Sequence, residues 1–220
     1  MESGATVWID IGTMAYLEPE ALAALGLAKL GHNVRISSRA VLYDPHLIEI
    51  GDNTRIDDFC VVSGRVTLGR NVLLTVYCNV AGGRTGVVID DFSTLAYGCQ
   101  VFAQSEDYSG RFLSNSTVPL AFRRETCKPV HLARHCIVGA NSVVVPGVTL
   151  SEGTAVYAMS LVTKTTLPWS IYFGVPARRL KARHRDLLDL EQSYLAGHGG
   201  DCRDMDVLED ARARSRNDGG

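Results

Sequence analysis

The sequence predicts a mainly β chain wound as a parallel β-helix of six-residue repeats. Three observations carry this reading: an aliphatic residue that recurs every sixth position, a small residue that recurs four positions after it, and one long break between regular blocks.

Stepping by six from Leu132 meets Val138, Val144, Leu150, Val156 and Val162; stepping from Ile50 meets Ile56, Val62, Leu68, Leu74 and Val80. Ile89, Leu95 and Val101 make a third block, and Ile36 with Leu42 a short lead-in. If about a quarter of positions are Ile, Leu or Val, six consecutive hits in a chosen register arise by chance roughly once in a few thousand trials, so two such blocks are not accidental. The slot four residues after each anchor holds Thr54, Cys60, Val66, Val72, Cys78, Ser93, Cys99, Cys136, Ser142, Val148, Thr154 or Ser160. A large side chain filling an interior and a small one fitting a crowded corner suit strand–turn units stacked in coils, and neither period 2 nor period 3.6 describes them.

The slots also explain four of the six cysteines. Cys60, Cys78, Cys99 and Cys136 occupy small positions and read as compact packing residues. Cys127 and Cys202 lie in non-repeating stretches without a neighbour that would activate a thiolate. With no Cys-x-x-Cys pair, a reduced and cytoplasmic setting is expected. A formal net charge of −2 gives no electrostatic case for nucleic acid. Met1–Ala5 does not read as a signal peptide, and no stretch approaches the roughly 20 apolar residues of a membrane span.

Two interruptions stand out. Val80 to Ile89 is a step of nine, with Gly82-Gly83-Arg84-Thr85-Gly86 between them, which predicts a bulged corner. The repeat then stops between Phe102 and His131, an excursion of the kind that carries function on a regular scaffold. Upstream, Glu18-Pro19-Glu20 followed by Leu22, Leu25 and Leu30 predicts a capped amphipathic helix; downstream, Arg178 to Leu195 predicts a second helix. The expected organisation is a helical cap over 1–35, a β-helix over 36–168 with an insertion at 102–131, a helical segment over 169–196 and a disordered polar tail over 197–220.

The pattern resembles the hexapeptide-repeat acyltransferase superfamily over about residues 30 to 185. Within it, the motifs are most similar to sugar and xenobiotic acetyltransferases related to galactoside O-acetyltransferase, and to those acting on nucleotide-linked sugars. The stretches that carry the likeness are Val138-Gly139-Ala140-Asn141 with Val145-Pro146-Gly147-Val148, Val162-Thr163-Lys164, and Gly174-Val175-Pro176-Ala177-Arg178. The resemblance implies a left-handed helix with triangular coils of three hexads, so the seventeen anchors make just under six coils. It implies a homotrimer with acetyl-CoA, the acyl donor, lying between subunits. Ala140 and Ala158 would offer backbone groups to the pantetheine arm, with Thr163 and Lys164 nearby, and Arg178 and Lys181 would meet the phosphates. Small side chains that admit an extended arm, with cations at one end, fit that ligand chemically.

The family commonly carries a histidine base in the inserted loop. Here no histidine occurs between His46 and His131, and the matching place falls on Glu106 or Asp107. A carboxylate is a weak base toward a hydroxyl but suffices to orient or deprotonate an amine, which tilts the expected reaction toward N-acetylation of an amino sugar. A backbone N–H would hold the thioester oxyanion. Tyr77, Asn79, Arg84 and Tyr108 are candidate acceptor-binding residues. His131 and His135 are rival bases, with His135 expected as an exposed corner residue. Two other classes compete: a catalytically inactive scaffold, and a metal-dependent hydratase resembling the γ-class carbonic anhydrases. The latter needs three histidines at one zinc; only His131 and His135 are close, so no metal is expected.

Overall fold

The computed structural model describes residues 16–197. They form a left-handed parallel β-helix of about seven coils with three faces. The first face stacks Arg35–Ile36, Arg55–Ile56, Leu73–Leu74, Thr94–Leu95, Ile137–Val138, Ala155–Val156 and Ser170–Gly174 as parallel rungs. The other two faces merge into one sheet because Val61–Leu68 and Asn79–Ile89 run unbroken through the corner between them.

The hexad positions explain why the coil closes. Sixteen of the seventeen anchors are buried, and Leu42 is half-buried against the same core. Each fully buried aliphatic side chain contributes about 1.5–3 kcal/mol, the driving force for stacking. All twelve small slots are buried too, and their polar members bond the next coil. Thr54 Oγ1 donates to Gly69 O at 2.7 Å, and Ser142 Oγ donates to Tyr157 O at 3.1 Å. The four slot cysteines likewise point their thiols at carbonyls, and burial pushes the Cys136 thiol up to about 12.

The bulged corner is present: the register between the two long strands shifts on both sides of Gly64. A side chain at Gly82 would place its Cβ 1.8 Å from Arg65 O, so only glycine lets the two strands pass there.

Several expectations change. The coil count is about seven, not just under six, because Lys29–Leu30 pairs with Glu49–Ile50 and Ser170–Gly174 adds a final rung. Leu30 therefore belongs to a strand, and helix α1 is only Pro19–Ala24, with Leu22 as its buried contact. The helix expected over Arg178–Leu195 is also corrected. Ala177–Ala182 instead folds back antiparallel on Ser170–Gly174, satisfying backbone groups at the end of the sheet, and helix α2 begins at Leu187 and runs to Gly197. Of the tail expected to be disordered over 197–220, Gly197 ends helix α2 and 198–220 lie outside the described residues. No helix among the described residues is long and apolar enough to cross a membrane.

Helix α2 lies along the corner that follows the third face. That corner repeats one left-handed residue per coil: Asn33, Asn53, Asn71, Phe92, His135, Gly153 and Trp169. Tyr194 accepts a hydrogen bond from Asn71 Nδ2 at 3.1 Å and meets Phe92 edge-on. Glu191 receives Arg134 and lies 2.9 Å from His135 Nε2, and Arg183 Nη1 donates to the carbonyls of His135 and Gly153.

Candidate active site

The insertion leaves the coil as a short antiparallel hairpin, Gln104–Glu106 against Glu125–Cys127, before the chain rejoins the repeat at Val130–Leu132. Strand periodicity and register place Glu106 directly opposite Glu125. Arg123 joins them: its Nη1 donates to Glu106 Oε1 at 3.2 Å and to Glu125 Oε1. Arg84, from the glycine-rich corner, donates to Glu125 Oε2 at 3.3 Å and stands 3.6 Å from Cys127 Sγ. Glu106 Oε2 is buried and has no hydrogen-bond partner, and neither has Arg123 Nε. The two expected carboxylates therefore differ. Asp107 is absorbed by a local turn, its Oδ2 accepting from Ser109 N at 3.1 Å and from Ser109 Oγ at 2.6 Å.

The residues expected at the acyl donor lie in the late coils. Ala140 and Ala158 stack at one corner, where Met159 N donates to Ala140 O at 2.8 Å. Gly139 is needed there, because a Cβ would sit 2.4 Å from Ala158 N. Arg178 is exposed and pairs with Phe173, whose ring meets that of Tyr157 at 6.3 Å, next to Ala158. Thr163 and Lys164 are exposed just beyond the strand Leu161–Val162. Lys181 pairs with Ile171 at the opposite end of the last strand, so it stands apart from this corner. The corner of Ala140 and Ala158 and the exposed Arg178 are thus linked through the Tyr157–Phe173 ring contact.

The acceptor-binding candidates are not gathered into one pocket. Tyr77 stacks on Phe59 with ring centroids 5.0 Å apart, Asn79 donates to Gln100 Oε1 at 3.1 Å, and Tyr108 is 91% exposed on the insertion. Arg84 reaches the hairpin through Glu125.

The rival histidines face different carboxylates. His131 Nε2 is 2.7 Å from Asp90 Oδ2 on a half-exposed face. His135, expected to be exposed, is buried between Phe92 and Trp169 and held by Glu191, because α2 covers its corner. No group of three His, Cys, Asp or Glu side chains among the described residues is arranged to hold a metal. Sequence reasoning missed Arg123 and Glu125, although their i, i+2 spacing in extended backbone before the coil resumes puts both on one side of the chain.

Comparisons with known proteins bear on the chemistry. No protein-family model matches the chain. A dTDP-4-amino-4,6-dideoxy-D-glucose acyltransferase of Escherichia coli is 34% identical over 191 residues, covering 86% of this chain and 99% of that protein. AntD, an N-acyltransferase from Bacillus cereus solved as a point variant with dTDP and coenzyme A, is 39% identical, with a TM-score of 0.82 over 83% of this chain and 98% of that one. A second AntD structure, with dTDP and 3-hydroxybutyryl-CoA, superposes with a TM-score of 0.82 at 38% identity, over 84% of this chain and 98% of that one. A maltose O-acetyltransferase from Clostridium difficile, at 18% identity and a TM-score of 0.50 over 76% of this chain and 75% of that one, shares the fold. With a relative of this identity matched over almost its entire length, the chain belongs to the hexapeptide-repeat sugar acyltransferases that take their acyl group from coenzyme A.

Proposed function

We propose that the chain transfers an acyl group from acyl-CoA to the amino group of a dTDP-linked 4-amino-4,6-dideoxyhexose, and that Glu106 orients and deprotonates this amine. The observation that carries the reading is the state of Glu106 at the foot of the insertion: one carboxylate oxygen held by Arg123, the other buried without a partner. The names of the E. coli and B. cereus relatives support a nitrogen acceptor on a dTDP-sugar.

The chemistry follows from that oxygen. A carboxylate attracts an ammonium or amine N–H and accepts its proton as the nitrogen attacks. The thioester donor supplies an activated carbonyl. The N–C bond forms, the C–S bond breaks, and the acceptor's proton passes through Glu106 to the departing thiolate. Asp107, engaged by Ser109, is the lesser candidate. Ala140, Ala158 and Arg178 bind the donor, with Thr163 and Lys164 flanking it and Lys181 at the periphery. Tyr77, Asn79 and Tyr108 border the acceptor, and Arg84 stands behind Glu125.

The donor corner and the insertion belong to different edges of one coil stack, and a cyclic homotrimer lets one subunit's insertion reach its neighbour's donor corner. A cytoplasmic setting suits an acyl-CoA substrate and a chain whose five described cysteines are all free.

The test measures thiol release from acetyl-CoA and 3-hydroxybutyryl-CoA with dTDP-4-amino-4,6-dideoxyglucose or its 4-hydroxy counterpart. Release is expected only with the amine, giving an amide product that survives hydroxylamine. Equal turnover with the hydroxyl sugar would overturn the reading. Light scattering should give a mass three times the 23.9 kDa chain.

A further inference from the structure

The hairpin at the foot of the insertion sets two carboxylates, Glu106 and Glu125, against each other as cross-strand partners. Like charges so placed repel. Arg123 separates them with a side chain that is only 12% exposed, and Arg84 closes the row by pairing with the far oxygen of Glu125. Charges therefore alternate from Glu106 through Arg123 and Glu125 to Arg84.

We infer that Arg123 is a positioning residue for acyl transfer: it fixes one oxygen of Glu106 so that the other meets the acceptor, while Glu125 and Arg84 aim Arg123. This rests on the role given to Glu106 above. A guanidinium is suited to the task because its donors lie in a rigid plane, whereas an ammonium would supply the charge without the fixed direction. Arg84, expected from sequence to bind the acceptor, here acts two links away through Glu125. The row also ties the insertion to the glycine-rich corner from which Arg84 springs, so the foot of the insertion is held by charge as well as by strand pairing.

The test compares R123Q, R123K, E125Q and R123Q/E125Q. R123Q is expected to lower kcat at least tenfold while changing KM for acyl-CoA less than twofold. R123K, which keeps the charge without the fixed direction, should lose kcat as well. E125Q should lower kcat severalfold on its own and add nothing to R123Q, because Glu125 acts on Glu106 only by aiming Arg123.

An unchanged kcat in R123Q, or losses in R123Q and E125Q that add in the double variant, would overturn the inference. If R123Q does not fold, E125Q alone decides: kcat should fall severalfold with KM for acyl-CoA unchanged, and an unchanged kcat counts against it. E106Q separates the two readings. If E106Q stays active, the role of Glu106 is wrong; if it is inactive while R123Q behaves as wild type, only the role of Arg123 is wrong.

Discussion

Two carboxylates in this molecule's non-repeating segments pair with arginine, and they are bound differently. Glu191 on α2 uses both oxygens, one for Arg134 and one for His135, in a site where its side chain and that of His135 are 9% and 5% exposed. Glu106 at the foot of the insertion uses one oxygen for Arg123 and leaves the other buried and unpartnered. A pair that serves stability completes its hydrogen bonds, since each unmade one costs about 1–3 kcal/mol when buried. The incomplete pair carries that cost inside the insertion, in keeping with the role proposed for Glu106.

The largest expected effect comes from breaking the incomplete pair. Glu106→Gln should lower kcat with the amino-sugar acceptor at least a hundredfold, about 2.7 kcal/mol of transition-state stabilisation, in the thiol-release assay. Asp107→Asn should stay within a few-fold, because its carboxylate is engaged in a turn; an equal loss would erase the distinction between the neighbours. Breaking the complete pair should do the opposite. Glu191→Ala leaves buried His135 without its partner, costing about 3 kcal/mol and lowering Tm by roughly 6–12 °C in calorimetry, with kcat little changed at 25 °C.

A smaller effect concerns the packing slots. Cys136 is held protonated to about pH 12 by burial, against about 8.5 unfolded. Its folded pKa is raised, so the stability it contributes is fully present below pH 8.5 and lost as pH rises toward 12. Cys136→Ala should flatten the alkaline fall of Tm over that window. At pH 8 in the folded protein, Cys127 should be alkylated well ahead of Cys60, Cys78, Cys99 and Cys136, as read by mass spectrometry.

What was legible in the sequence follows from what a period can encode. The hexad register placed the anchors and slots because each position meets the same surroundings one coil later. It also located the insertion, whose foot carries Glu106. It could not show that Arg123 bridges Glu106 and Glu125, since that pairing depends on how an aperiodic segment folds back on itself. Asp90 comes beside His131 only after the insertion is skipped. The last rung escaped because its anchor place holds Tyr172, whose hydroxyl accepts Leu167 N at 2.8 Å near the open end. Leucine spacing after Arg178 suggested a helix, but the unpaired edge of the sheet recruited that segment first.

Helix α2 changes how the stack comes apart. In a solenoid each coil touches only its neighbours, so the end coil can peel away while the rest stands. Here Arg183, Glu191 and Tyr194 reach successive rungs of one corner, from Gly153 back to Asn71. The helix works as a splint laid across the grain of the repeat. The last coils cannot unwind singly without first releasing it, so fraying from this end gives way to a single concerted step.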